Sequence, residues 1–250
     1  MAKVIISPEK RVFIAELGRD VRVSKFEKYY LDKGNDFQSK HGKAVVKDKF
    51  KIKNKEFFSF DSMFIDDYKQ IKRSAQIIPL KDIGFIITET GLNKNSLVVE
   101  AGSGSGGFTC FIANIVKKLY SFDIKEENIK LSKENCKKLS IKNVIFKKES
   151  IYDQAKISVA DVDLLLLDVP EPWKALKTAK KILKKGAFLV IYQPYLPQTI
   201  DFIKLLTKNF LLERTVEVKI RDWEISGRKV RPDKEKISHS AFLTFVRRIN

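Results

Sequence analysis

The sequence predicts an α/β protein organised around a mostly parallel, doubly wound sheet, on three observations. Strand-like and helix-like segments alternate five times between residues 96 and 209, the pattern of successive β-α units. The first of these strands runs directly into a glycine-rich turn, Gly102-Ser103-Gly104-Ser105-Gly106-Gly107. The fourth contains Leu164-Leu165-Leu166-Leu167, an unbroken apolar run that reads as a strand covered on both faces.

In chain order, residues 1–62 differ from the remainder. Short β-type pieces (KVIISP, RVFIAEL, VRVSKF, AVVKDKFKIK and EFFSF) are separated by polar turns such as DKGND and SKHGK. Fifteen basic against eight acidic residues leave residues 1–60 at +7. This part reads as a small basic β-rich domain ahead of a larger domain over 63–250; an irregular arm wrapped on that domain fits the same composition. From about residue 66, DDYKQIKRSAQ carries acids first and basic residues later, as a helix dipole favours. After Pro79, KDIGFIITETG predicts a helix closed by Gly91. Strand 96–101 then precedes a helix over 107–119, and strand 120–124 precedes a helix over 125–140. Strand 143–149 leads into a connection with a short helix. Strand 163–168 precedes a helix over 171–186, and strand 187–193 precedes one over 197–209. Two long strands follow, FLLERTVEVKIRDWEI and HSAFLTFVRRI, with no helix between them. They predict an antiparallel hairpin at one sheet edge, joined by the basic loop Ser226–Ser238.

Composition excludes several classes. No apolar run in the 250 residues is long enough to span a bilayer, so no membrane association is expected. The opening MAKVIISPEKRVF lacks the apolar core and cleavage site of a secretory signal. Cys110 and Cys136 are the only cysteines, which rules out a disulfide framework and points to a reducing cytoplasm. His41 and His239 lie too far apart in sequence to suggest a metal-ligand cluster. Forty-nine Lys and Arg against 31 Asp and Glu give a net charge of +18, spread along the chain. High-temperature composition raises Glu together with Lys, and here the acids lag. A polyanionic partner, most simply nucleic acid, accounts better for the excess.

The glycine turn admits two readings. The spacing Gly102, Gly104, Gly107 satisfies the dinucleotide pattern G-x-G-x-x-G, and Gly102, Gly104, Gly106 satisfies the E/D-x-G-x-G-x-G loop of S-adenosyl-L-methionine enzymes. Both place an acid at the end of the second strand to hold ribose hydroxyls, and Asp123 fits. Glu100 favours the second reading, because a carboxylate beside the loop would repel a pyrophosphate and attract the ammonium of a methionine moiety. Asp168 ends the fourth strand, where open α/β sheets bind ligands. There it can accept a hydrogen bond from an amino group on a methyl acceptor. Pro170 and Pro172 fix the backbone of its turn. Trp173 supplies either an aromatic wall for a base or a cap on the helix start.

EAGSGSGGFT, LLLLDVPEPWKAL, QIIPLKD and the C-terminal HSAFLTFVRR together resemble the tRNA (adenine-N1)-methyltransferases that act in the T-loop. The matches span roughly residues 37 to 248, and DVPEPW is the most specific. The resemblance implies a class I S-adenosyl-L-methionine-dependent methyltransferase, with a Rossmann-like, mostly parallel seven-stranded sheet and a small N-terminal β-rich domain. It implies that Ser105, Gly106, Gly107 and Phe108 cradle the methionine part of the cofactor, that Asp123 holds the ribose, and that Asn128 faces the cofactor. Ser150 stands where the family has an acid near the adenine. Gln76 matches the pre-strand segment, but Pro79 replaces the tyrosine that follows it in the family. Asp168 matches the catalytic residue, and His239 matches a position suited to a structural hydrogen bond. The implied reaction is methylation of N1 of adenosine 58 of tRNA, and of 57 in some members, by a cytoplasmic homotetramer. The target base must be extruded from the tRNA elbow, a cost that phosphate contacts offset; Arg228, Lys229 and Arg231 are candidates for them, with Trp173 beside the base. A methyltransferase for a non-RNA substrate and a non-catalytic tRNA-binding subunit of the same fold are the competing readings.

Overall fold

The computed structural model describes residues 2–6, 12–16, 49–52, 55–74, 76–232 and 239–250. The chain divides into two compact units, Met1–Ile71 and Lys72–Asn250. The first therefore extends past the expected limit at residue 62.

The first unit contains strands β1 (Ala2–Ile6), β2 (Val12–Glu16), β3 (Lys49–Ile52) and β4 (Lys55–Asp61). They form an antiparallel sheet in the order β2-β1-β4-β3. The expected VRVSKF strand lies outside the described residues. Helix α1 (Phe64–Tyr68) closes the unit with Asp66 and Asp67 in its first turn, where the dipole favours acids. The helix expected to run on through Gln76 ends at Tyr68.

The second unit carries a seven-stranded sheet in the order β10-β13-β9-β8-β5-β6-β7. Its strands are β5 (Leu97–Ala101), β6 (Lys118–Phe122), β7 (Val144–Lys147), β8 (Val162–Leu167), β9 (Leu183–Gln193), β10 (Phe210–Val216) and β13 (Phe242–Arg248). β5 pairs in parallel with both β6 and β8, β6 pairs with β7, and β8 pairs with β9. β13 runs antiparallel between β9 and β10, the edge hairpin that the two terminal strands predict. The sheet is thus doubly wound about β5, and the strand order switches between β5 and β8. Crevices at such a switch point, beyond the carboxyl ends of the strands, receive ligands.

Two apolar layers bury the sheet. On one face Leu165, Leu167, Leu189 and Ile191 pack with Phe202, Ala179 and Ile182, from helices α5 (Leu176–Ile182) and α6 (Leu196–Lys204). On the other, Leu164, Leu166 and Val190 pack with Ile83, Ile86, Phe108 and Ile112, from α2 (Leu80–Thr90) and α3 (Gly107–Ala113). Leu164 to Leu167 are all fully buried, so the apolar run is a strand covered on both faces. Gly91 ends α2 at φ 66° and donates its amide to the Ile87 carbonyl, the left-handed cap expected of a glycine.

Several boundaries differ from expectation because tertiary pairing overrides local pattern. The helix expected over 107–119 stops at Ala113, since Lys118 and Leu119 pair with Leu97 and Val98 of β5. The helix expected over 171–186 is a 3-10 turn (Pro172–Ala175) followed by α5, and β9 begins at Leu183, which is buried opposite Val162. α4 (Glu126–Lys138) begins and ends close to its expected limits. The helix expected over 197–209 ends at Lys204. The long strand expected from Phe210 breaks after Val216. Its remainder forms a separate hairpin of β11 (Trp223–Ser226) and β12 (Lys229–Pro232). The basic segment expected as a loop is therefore half of a β-ribbon, turned at Gly227 with φ 57°, and residues 233–238 lie outside the described residues. Among the described residues no helix is long and apolar enough to cross a membrane.

Phe202 is fully buried in the layer that fixes β9 against α6. Phe202→Ala should cost about 3–5 kcal/mol, the range for truncating a core phenylalanine. Urea unfolding would measure it, and a loss below about 1 kcal/mol would contradict the assigned core.

Candidate active site

The site is assembled where β5 and β8 end side by side. Asp168 donates its amide to the Ala101 carbonyl at 2.9 Å, extending the pairing by one residue beyond the strands. Gly102 then turns away at φ 97°, and a side-chain carbon on it would overlap the Asp168 carbonyl oxygen. Only glycine fits both the dihedral and the contact. Gly104 and Gly106 also adopt left-handed φ, 49° and 79°. Gly106 abuts Ser132, and Gly107 abuts Ile77. The loop is drawn back to the sheet by the amides of Gly102 and Ser103, which donate to the Phe122 carbonyl at 2.9 and 3.3 Å.

Asp123 follows β6 and locks the loop from the far side. It is 8% exposed. Its Oδ2 accepts the Gly104 amide at 3.1 Å and the Asn128 side-chain amide at 3.0 Å; its Oδ1 accepts the Lys125 amide at 2.9 Å. A carboxylate oxygen has two acceptor directions, so Oδ1 keeps one for a ligand hydroxyl. Asn128 thus touches Asp123, at the start of α4. The Cys110 amide donates to the Gly106 carbonyl, so the α3 ladder begins there, and the preceding helix-end amides face the glycine turn.

Glu100, expected beside the loop as a charge acting on the ligand, is 1% exposed, and its Oε2 accepts the hydroxyls of Thr109 at 2.5 Å and Ser121 at 2.9 Å. Ser103 joins Ser121 at 2.7 Å. Burial pushes the Glu100 carboxyl up to about 8, against the two hydroxyl bonds that lower it. Through these bonds it ties α3 and β6 together beneath the loop.

Asp168 presents the opposite arrangement. No described group hydrogen-bonds its carboxyl. Burial raises that carboxyl to about 7, with the nearby Asp123 adding to the shift. The turn bearing it is clamped from both ends. Gln193 Nε2 donates to the Val169 carbonyl at 2.8 Å, and the Glu171 amide donates to the Tyr152 hydroxyl at 3.2 Å. Pro172 is buried at the start of the 3-10 turn. Trp173 is half-buried and packs against the apolar layer of α5.

The remaining expected residues separate into two groups. Ser105 is 1% exposed and accepts the Ser74 amide at 3.0 Å, while its carbonyl accepts Asn135 Nδ2 at 2.8 Å. Phe108 is buried in the core between sheet and helices, leaving only its backbone to a ligand. Gln76 is exposed, and its side chain has no described hydrogen-bond partner; the adjoining Ile77 seats against Gly107. Pro79 is the N-cap of α2. Ser150 accepts the Tyr152 amide at 3.3 Å and brings no acid to its position. Lys229 and Arg231 lie away in the β11–β12 ribbon and pair with Glu224 at 2.6 and 2.8 Å. Arg228 is exposed in the ribbon's turn. His239 bonds Glu217 at 2.7 Å and the Pro194 carbonyl at 2.9 Å, and both partners raise its pKa. Sequence reasoning missed Thr109, Ser121, Asn135, Tyr152 and Gln193. A polar residue on an otherwise apolar strand or helix face was the only signal they carried.

The geometry suits a small ligand with a hydroxylated sugar. Glycines leave the loop backbone open, Asp123 retains an acceptor, and Asp168 is held ready with its carboxyl unengaged. Among the described residues no group of three or more His, Cys, Asp or Glu is arranged to hold a metal ion.

Comparison with known proteins identifies the family of the chain. A family model described as the tRNA methyltransferase complex GCD14 subunit matches residues 69–241. The chain is 31% identical over 224 residues to the tRNA (adenine(57)-N(1)/adenine(58)-N(1))-methyltransferase TrmI of Methanocaldococcus jannaschii, covering 78% of this chain and 79% of that one. It is 33% identical over 183 residues to the tRNA (adenine(58)-N(1))-methyltransferase TrmI of Thermus thermophilus, covering 71% of each. The crystal structure of the tRNA (m1A58) methyltransferase TrmI of Aquifex aeolicus superposes with a TM-score of 0.79 at 25% identity, covering all of this chain and 97% of that one. A SAM-dependent O-methyltransferase from Thermotoga maritima, at 22% identity and TM-score 0.81, shares the fold. On the family match and these relatives, the chain belongs to the GCD14 tRNA methyltransferase family.

Proposed function

We propose that the protein transfers a methyl group from S-adenosyl-L-methionine to N1 of adenosine 58 in the T-loop of tRNA, with the adjacent position 57 as a second target, and that it works as a cytoplasmic homotetramer. The observation that carries the reading is Asp168: a half-buried carboxyl with no described hydrogen-bond partner, fixed by the sheet beside an open glycine loop. The names of the relatives from Methanocaldococcus and Thermus support the tRNA substrate and the ring nitrogen.

Bound S-adenosyl-L-methionine would supply an electrophilic methyl carbon. Asp123 would hold its ribose through the free acceptor direction of Oδ1, and the loop amides and Asn128 would border it. N1 of adenine already carries a lone pair, so attack needs no strong base beforehand. What it needs is alignment and stabilisation of the positive charge that grows on the base. Asp168 meets both needs. Its carboxylate accepts a hydrogen bond from the exocyclic amino group and faces the developing charge from a site with little water. Gln193 and Tyr152 keep the turn from relaxing, which preserves the alignment.

S-adenosyl-L-methionine should raise the melting temperature of the protein in a concentration-dependent way, because it binds the folded state; NAD should not. Asp123→Ala should weaken that binding by about tenfold or more, the order expected when a charged acceptor is lost. Stabilisation by NAD alone would overturn the cofactor assignment.

Asp168→Asn keeps the shape and removes the charge, so methylation of unmodified tRNA should fall by about a hundredfold or more. The wild-type kcat/KM for the methyl donor should rise as pH passes through about 7, where burial places the Asp168 ionisation, and this inflection should vanish in the variant. The sign for stability is opposite. The folded carboxyl titrates at about 7 against 3.8 unfolded, so ionisation destabilises the fold progressively as pH rises from about 4 to 7. Asp168→Asn should therefore gain stability relative to wild type between pH 5 and pH 8, measured by urea unfolding. Wild-type methylation by Asp168→Asn would refute the mechanism.

A further inference from the structure

A second basic feature lies at the opposite end of α4 from the site. At the open edge of the main sheet, Lys133, Cys136, Lys137 and Ser140, with the connecting Ile141-Lys142 and Val144 and Phe146 of β7, line a cavity of about 450 Å³. Its shape is built in. Ser140 reverses the chain at φ 58°, and the Ile141 amide donates to the Cys136 carbonyl at 2.9 Å. Asn143 ties the next residue of the wall to the Ala113 and Val116 carbonyls at 2.8 and 2.9 Å. The floor is apolar, with Cys136 buried and Ile141, Val144 and Phe146 half-buried. The rim is cationic: Lys133, Lys137 and Lys142 are exposed, and no carboxylate lines the cavity.

The rim charges are not balanced locally. Two of the three acids of α4 are engaged elsewhere, Glu134 with Lys72 at 3.2 Å and Glu126 with Lys148 at 3.5 Å, and the third, Glu127, lies in the first turn away from the cavity. No described carboxylate lies within ion-pair distance of Lys133, Lys137 or Lys142. Lys133 and Lys137 stand one helical turn apart, where like charges repel, and Lys133 is held over the Phe146 ring at 5.9 Å. The helix dipole accounts for a lysine at position 137 but not for those at 133 and 142.

We infer that this cavity is a docking site for the sugar–phosphate backbone of the tRNA substrate, with phosphates on the three lysines and a ribose against the Phe146 floor. The inference rests on tRNA being the substrate. The geometry of the fold suits it. α4 has its first turn at Asp123 and its last at the cavity, a length of about 20 Å. β7 lies three strands from β8, about 15 Å across the sheet. An RNA arm whose target base reaches Asp168 extends well beyond that distance. A polyanion also answers the absence of acids in the lining, which a cationic partner would need.

The test compares wild type with Lys133→Gln/Lys137→Gln/Lys142→Gln and with the corresponding triple change to Glu, using unmodified full-length tRNA. Each cation that meets a phosphate steepens the salt dependence of binding by roughly 0.7–0.9 in log–log slope. The glutamine variant should therefore lose about 2 to 3 from that slope and raise KM for tRNA about tenfold. It should keep kcat at saturating tRNA and its affinity for S-adenosyl-L-methionine. The glutamate variant should lose more. If the glutamate variant does not fold, the glutamine variant decides alone, since it removes the charges without placing acids side by side. An unchanged slope and KM, in a wild type that methylates tRNA, would overturn the docking site and leave the proposed function standing. Failure of the wild type to methylate tRNA would instead remove the reading on which it rests.

Discussion

The site depends on the closeness with which β5 and β8 end together. The backbone at Gly102 approaches the Asp168 carbonyl so nearly that no side chain fits between them, and the Asp168 amide is bonded to Ala101. That approach does two things at once. It makes the glycine turn obligatory, which opens the loop backbone to a ligand. It also fixes the one unengaged carboxyl of the site relative to that loop. Because β5 and β8 are paired strands buried on both faces, their spacing is set by the sheet ladder and by two apolar layers.

Around this junction the three acids are distinguished by environment rather than by type. Glu100 is buried beneath the loop among hydroxyls, and burial raises its pKa. Asp123 is fully occupied on one oxygen and half-occupied on the other. Asp168 has a desolvated carboxyl with an elevated pKa. Desolvation, hydrogen bonding and mutual repulsion are the separate causes of such differences. They leave one acid enclosed among hydroxyls, one partly engaged by the loop and one with its carboxyl unengaged, the differences on which the proposed roles of Asp123 and Asp168 rest.

The α4 helix links the two ends of the molecule's chemistry. Its first turn presents Asn128 to Asp123. Its middle uses Asn135 to hold both the Ser105 carbonyl and the backbone at Lys72. Its last turns carry the lysines above β7. A single helix thus spans from Asp123 to a cationic edge, in a protein whose +18 charge is dispersed along the chain.

The doubly wound fold, the glycine turn, Asp123 at the end of β6 and Asp168 at the end of β8 were legible from residue order alone. Each depends on local rules: apolar periodicity marks strands and helices, glycine marks left-handed turns, and an acid after a buried strand marks a sheet end. What the tertiary structure decided concerns partners distant in sequence. The helix after Gly107 stops early because Lys118 and Leu119 must pair with β5. Lys229 and Arg231, basic by sequence, share Glu224 across a ribbon turn. Glu100 has its carboxyl pKa raised because burial encloses it with Thr109 and Ser121. A side chain's ionisation and availability are set by what surrounds it in space, and that surrounding exists only after the strands have paired.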